Sequence, residues 1–289
     1  MNRKIEKVFK HPKQFGMVGD GFKVYNYIPG EYNLQRRMSP FLMLDFNPSN
    51  ELPPSEKQRG VDVHPHKGFE TVTIAYKGSV AHHDSSGNSG VIHPGDVQWM
   101  TAGSGILHKE YHEKEFSLKG GPFQMVQLWV NLPAKDKLAT PGYQAITADS
   151  IQNYPIPDDG GVVNVIAGNF RNIKGSAKTF TPVNLWDIKL KSGGEIEFDV
   201  PANHNGAILV VEGNAIVNGE NAAEFSFVLL GNEGETVNIK TTEGATLLVM
   251  TGEPINEPIA SYGPFVMNTQ DEIIQSIQEY QNGKFGHLE

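Results

Sequence analysis

Residues 64–78 read HPHKGFETVTIAYKG, and the spacing within this stretch decides the fold class. Val72, Ile74 and Tyr76 alternate with Thr71, Thr73 and Ala75. That is the period-two pattern of a half-buried β-strand, not the 3.6-residue period of a helix. Lys77-Gly78-Ser79 then ends it as a turn. Just upstream, His64 and His66 stand two residues apart. In a strand, residues i and i+2 leave the same face about 6.6 Å apart, so the pair aims two imidazoles at one place.

The pattern continues in both directions. Val126, Leu128 and Val130 alternate with Gln127 and Asn131, and turn signals recur at 85–90, 94–96 and 103–105. Residues 17–132 therefore form one strand-rich region. A second runs from about Phe180 to Val249, where 206–211 and 214–219 read as two strands around Glu212-Gly213. Placing Gly78 on Gly213 matches IAYKGSV to LVVEGNA in pattern, as two copies of one unit would, or two unrelated sheets with similar turns. Residues 133–172, rich in Pro, Asp, Gly and Ala, read as a connector. Near the end, Thr269 and Glu272 form a capping box, Ile273, Ile274, Ile277 and Tyr280 share a face, and Gly283 follows as a stop. This predicts one helix whose apolar stripe packs on a sheet.

Composition narrows the chemistry. A chain of 289 residues suits two domains of ~150 residues each. Its 38% hydrophobic content supports a core, and its 31 glycines and 18 prolines favour turns and short strands. Net charge is −9, with no basic stretch after the first fourteen residues, which argues against a nucleic-acid partner. The absence of cysteine excludes disulfides, zinc fingers, iron–sulfur clusters and thiol nucleophiles. The longest aliphatic run, 207–211, is far short of a membrane span, and the N-terminal MNRKIEKVFKHPKQF has no apolar signal core. No membrane partner is expected, and the expected compartment is cytoplasmic.

Seven of the ten histidines, at 64, 66, 82, 83, 93, 108 and 112, fall within fifty residues. His108 and Glu110 repeat the i, i+2 arrangement of His64 and His66. Either pair alone fits a hydrogen-bonded core histidine as readily as a ligand. On facing strands the two pairs become three neutral nitrogens and one anionic oxygen. Imidazole suits iron, zinc, copper and nickel, and carboxylate suits the harder ions. Four such donors leave two positions of an octahedral ion open. His112 is expected outside the ligand set, His82 and His83 in solvent, and His93 in a turn. Glu70, four residues after His66 across Gly68, is expected in the pocket or behind the ligands. No zinc-protease helix and no phosphate-binding loop occurs.

HPHKGFETVT, then GDVQWMTAGSGILH with Glu110 two positions on, then QLWVNLPAKDK, and finally YGPFVMN before the last helix resemble the pirin family, over about Phe15 to Phe285. The resemblance implies an all-β bicupin: two antiparallel β-barrels of jelly-roll type with a C-terminal helix. It would place a metal-binding cupin at 1–134, a connector at 135–177 and a metal-free cupin with the helix at 178–289. In the latter, Asp199 and Pro201 stand where a histidine pair would be. The family's ligands fall on His64, His66, His108 and Glu110, the residues that strand spacing also brings together. They imply one divalent ion, Fe(II) in first place, with Zn, Ni, Co, Cu and Mn compatible. Two activities follow from the resemblance. One is quercetin 2,3-dioxygenase chemistry on a flavonol or similar small aromatic substrate with O2, Glu110 acting as base and Phe41, Trp99 and Met100 as candidate walls of an apolar slot. The other is a non-enzymatic iron-binding regulatory protein that acts on a protein partner. A zinc-dependent, non-redox bicupin is a third possibility.

Overall fold

The alternating, turn-rich sequence folds into short antiparallel strands. A computed structural model describes residues 1–30 and 32–289. Twelve strands, numbered along the chain, precede the middle of the sequence: β1 (Ile5–Phe9), β2 (Gly16–Val18), β3 (Phe22–Ile28), β4 (Phe41–Leu52), β5 (Gly60–His66), β6 (Phe69–Lys77), β7 (Val80–Asp84), β8 (Ser89–Ile92), β9 (Val97–Thr101), β10 (Ile106–His112), β11 (Gly121–Asn131) and β12 (Gly142–Ile146). Two helices exceed a single turn, α1 (Lys114–Lys119) and α2 (Gln270–Gln281). No helix among the described residues is long and apolar enough to cross a membrane.

The chain forms two compact units, each assembled from separate segments. One comprises 14–33, 41–148 and 255–289; the other comprises 1–13, 34–40 and 149–254. The first contains a seven-stranded sheet in the order β12-β9-β6-β11-β4-β3-β2 and a four-stranded sheet in the order β5-β10-β7-β8. The second repeats this scheme. Its seven-stranded sheet runs β1, Phe227–Leu230, Asn205–Gly213, Ala245–Gly252, Val183–Leu190, Gly161–Ala167, Gln152–Ile156. Its four-stranded sheet runs Glu195–Asp199, Thr236–Lys240, Ala215–Val217, Glu220–Ala222. Asn205–Gly213 occupies the place of β6, and Glu195–Asp199 the place of β5. Gly78 and Gly213, the two aligned glycines, share the left-handed conformation, with φ of 73° and 75°. The two strand-rich regions are thus one topology built twice, each copy a pair of antiparallel sheets around its own apolar core.

Three expectations change. The connector at 135–177 contains β12 and the strands Gln152–Ile156 and Gly161–Ala167, which extend the large sheets. Strands this short carry too few alternations to stand out in the sequence. β6 is buried on both faces, Thr71 and Thr73 as fully as Val72, so its alternation separates two interiors instead of core from solvent. The third concerns the helix. Its capping box forms as expected: Thr269 Oγ1 accepts from the Glu272 N–H at 3.2 Å and Glu272 Oε2 accepts from the Thr269 N–H at 2.8 Å. Its stripe is narrower than expected. Ile273 is buried among Ala260, Phe265, Met267 and Phe285, Ile277 packs against them and the Tyr280 ring meets Phe265 and Phe285, whereas Ile274 is 54% exposed. This packing places the helix in the unit that holds β5 and β10, not with the second cupin.

Losing the capping hydroxyl in Thr269→Ala should lower stability by about 1 kcal/mol. Urea unfolding with an unchanged slope would register this as a shift in midpoint.

Candidate metal centre

β5 and β10 are antiparallel neighbours, with His108 opposite His64 and Ile106 opposite His66. The i, i+2 spacing on β5 and this register together make three imidazoles converge. Ring centroids lie 4.8 Å apart for His64 and His66, 4.2 Å for His64 and His108, and 4.7 Å for His66 and His108. One nitrogen from each lies within 4.8 Å of the others. His66 and His108 are buried and His64 is half-buried. His64 Nδ1 donates to the Asp62 carbonyl at 2.7 Å, which leaves Nε2 as the bare lone pair. His66 Nδ1 and His108 Nε2 are buried with no hydrogen-bond partner. An orphaned buried polar atom is costly, about 1–3 kcal/mol, and two of them beside a third imidazole are what a cation would satisfy. Burial, then the neighbouring His64, pulls His66 well below its ordinary pKa. Burial, then His66, His64 and His82, does the same to His108. Both rings are held neutral, the form that ligates a metal. This donor set fits a divalent ion.

Glu110 faces the same interior, past a register shift in β10 between His108 and Glu110. It groups with His108 and His82, not with all three imidazoles at once. Its carboxylate is held by the opposite sheet: Gln98 Nε2 donates to Oε1 at 2.7 Å, Thr73 Oγ1 to Oε1 at 3.3 Å, and Gln127 Nε2 to Oε2 at 2.7 Å. These three donors lie on one row across the large sheet, where Gln98 pairs with Thr73 and Thr73 with Gln127. The row continues to Asp45 and Asn26. Burial pushes the Asp45 carboxyl up to about 6, although Asn26 donates to it at 2.7 Å. At the other end, Tyr143 donates to Gln98 Oε1 at 3.3 Å. Burial, then the negative field of Glu110, pushes its phenol up to about 12.

Other histidines lie where the sequence did not indicate. His82 is not in solvent: it is fully buried on β7, opposite Glu110, and stacks on Tyr143 at 4.9 Å and 15°. Its neighbour His83 points the other way, half-buried, and bonds Tyr111 Oη at 2.6 Å. Because β7 pairs with β10, period two sends one of this adjacent pair inward. His112 is also buried, but among Phe22, Phe116 and Phe123, with ring centroids 5.3, 6.0 and 4.7 Å away. Glu70 accepts from Thr101 Oγ1 at 2.8 Å, joins neither cluster, and is pushed up to about 7 by burial. Phe41, Trp99 and Met100 are fully buried, while the aromatic rings against His66 are Phe69 at 5.0 Å and Trp129 at 5.2 Å. Burial alone would raise the Asp84 carboxyl, but hydrogen bonds from His82 and Asn88 bring it below its ordinary value. In the second unit, Asp199, Pro201 and His204 line a cavity of about 820 Å³, and His204 Nδ1 bonds Thr251 Oγ1 at 3.2 Å.

Thr73, Gln98, Gln127, His82 and Tyr143 escaped the sequence reading. Gln98 carries a local signal, a polar side chain among Val97, Trp99 and Met100.

Comparison with known proteins agrees with this architecture. Residues 21–130 match the Pirin family and 185–286 the Pirin C-terminal cupin domain. A Pseudomonas aeruginosa protein named "Putative quercetin 2,3-dioxygenase" is 46% identical over 269 residues, covering 93% of each chain. "Pirin-like protein 2" of Arabidopsis thaliana is 40% identical, covering 98% of this chain and 85% of its own. The crystal structure of quercetin 2,3-dioxygenase from Acinetobacter baumannii superposes with a TM-score of 0.94 at 44% identity, over 100% of both chains.

Two outcomes follow from the geometry. His108→Ala removes the imidazole common to both clusters, and should weaken divalent-metal binding by more than the ~10–100-fold typical of changes behind the ligands. Chelator competition measures this, and full metal retention would show that the cluster is not the site. His112 titrates at about 4 in the fold against an ordinary 6.5, chiefly through burial. The unfolded chain therefore takes up this proton first, and its contribution is complete above pH 6.5 and lost as pH falls towards 4. Asp45 and Glu70, with raised values, act in the opposite sense, so the comparison needs a variant. Relative to wild type, His112→Phe should gain on the order of 3 kcal/mol between pH 7 and pH 4, read by denaturant unfolding at both.

Proposed function

Because this chain belongs to the pirin family, we propose that it is a mononuclear metal-dependent oxidoreductase of the quercetin 2,3-dioxygenase type, cleaving a flavonol or similar enediol aromatic with O2 in the cytoplasm. The observation that carries this reading is the convergence of three imidazoles, two with orphaned buried nitrogens, beside an immobilised carboxylate. His64, His66, His108 and Glu110 would hold the ion, with Fe(II) the first choice for this donor set. When bound, it supplies a Lewis acid that acidifies the substrate's enolic hydroxyl and the redox capacity that dioxygen chemistry requires.

The protein's side chains do the rest. A carboxylate offers about four lone-pair sites. In Glu110, Gln98 and Thr73 occupy two on Oε1 and Gln127 one on Oε2, so one on Oε2 is left for the ion, and the Thr73 bond, the longest at 3.3 Å, is the one that would give way for the carboxylate to take the proton of the substrate hydroxyl. The same donors fix the carboxylate in orientation, which a general base needs before its pKa matters. Trp129 and Phe69 pack against His66 and give a flat substrate an apolar wall close to the imidazoles.

Iron-loaded protein incubated aerobically with quercetin should consume the flavonol absorbance and release carbon monoxide. Glu110→Gln should keep most of the metal and lose about 10²–10⁴-fold in kcat. Metal uptake without turnover, for Fe(II) and for Mn, Co, Ni and Cu alike, would reject the enzyme in favour of a regulatory metalloprotein.

A further inference from the structure

His82 and Asp84 lie behind the imidazole cluster, and their hydrogen bonds have a direction. Asp84 closes β7 where the chain turns into β8. Its Oδ1 accepts from the Ser86 and Asn88 backbone N–H groups at 2.9 and 3.0 Å, and its Oδ2 lies 3.2 Å from His82 Nε2. A carboxylate only accepts, so His82 Nε2 carries the hydrogen. In the Nε2–H tautomer the other nitrogen, Nδ1, is bare, and it lies 3.4 Å from His108 Nδ1. His108 must donate there, which leaves its buried, unpartnered Nε2 as the lone pair. Stacking on Tyr143 holds the His82 ring in the plane this needs. Although His82 can be grouped with His108 and Glu110, both of its nitrogens are already engaged, unlike those of His66 and His108.

We propose that Asp84 and His82 form a positioning relay that locks His108 in its Nδ1–H tautomer and so makes Nε2 its metal-ligating atom. The relay rests on the reading of His108 as a ligand, but the tautomer itself is a property of the metal-free protein. Ligating histidines elsewhere depend on such partners for the same reason: the bond made by one ring nitrogen sets the state of the other.

Asp84→Asn tests it with almost no change of shape. The amide oxygen should keep the Oδ1 place, where two backbone N–H groups and the Asn88 amide point, and turn its NH2 towards His82 Nε2, at the loss of the bond that Asn88 Nδ2 makes to Oδ2 at 3.0 Å. That reverses every donor along the relay and moves the His108 proton to Nε2. Long-range ¹H–¹⁵N spectra of metal-free protein should show His108 as Nδ1–H in wild type and Nε2–H in the variant. Zn(II) affinity, read by chelator competition, should fall about 10–100-fold. His82→Phe keeps a ring on Tyr143 and removes both nitrogens. It should weaken Co(II) binding similarly, while the visible spectrum at saturation stays that of wild type. An Nε2–H tautomer in wild type, an unmoved tautomer and affinity in Asp84→Asn, or an altered Co(II) spectrum in His82→Phe would overturn the relay. If wild type binds neither Zn(II) nor Co(II), the metal reading fails instead, and the tautomer spectra alone decide the relay.

Discussion

A carboxylate inside a β-sandwich is tolerated only if hydrogen bonds or a counter-charge offset its burial. Glu110 meets that requirement by reaching from β10 to three donors on three adjacent strands of the opposite sheet. Gln98, Thr73 and Gln127 can serve it together because β9, β6 and β11 hold them on one cross-strand row. A slip of one residue in any of those strands would turn its donor to the other face. One buried anion thereby constrains the register of three strands and the depth of a fourth. The histidine cluster inherits this placement, since His108 lies two residues away on the same strand.

Two of the cluster's three imidazoles are held neutral. Desolvation keeps His66 and His108 unprotonated, so three imidazoles can sit within ring contact without mutual repulsion. Around them the packing is aromatic on one side, with Phe69 and Trp129, and polar on the other, with His82, Tyr143 and the Gln98 row. That asymmetry separates a wall suited to a flat apolar ligand from a wall that manages protons.

Local spacing made part of this legible. His64-Pro65-His66 and His108-Lys109-Glu110 betray their shared faces because a strand's period is two, and the capping box at Thr269 is equally local. The residues that support Glu110 are joined by register instead. Gln98 and Gln127 are twenty-nine positions apart, and no short-range pattern announces that one carboxylate lies between them. His82 went unrecognised for the same reason: a polar pair next to a Ser/Gly turn looks solvated until β7 is placed beside β10.

The interleaving of the two units has a consequence for how the chain is made. During synthesis β1 leaves the ribosome roughly 220 residues ahead of its partner Phe227–Leu230. Until then the growing polypeptide carries an orphan ribbon, and afterwards that ribbon covers what would otherwise be a bare sheet margin, the kind of surface on which chains aggregate. With α2 committed to the unit built largely from the first half of the sequence, no single scission yields two self-sufficient pieces. Evolutionary shuffling of one cupin without the other would require cutting the chain at several places, since each unit draws on three separate segments.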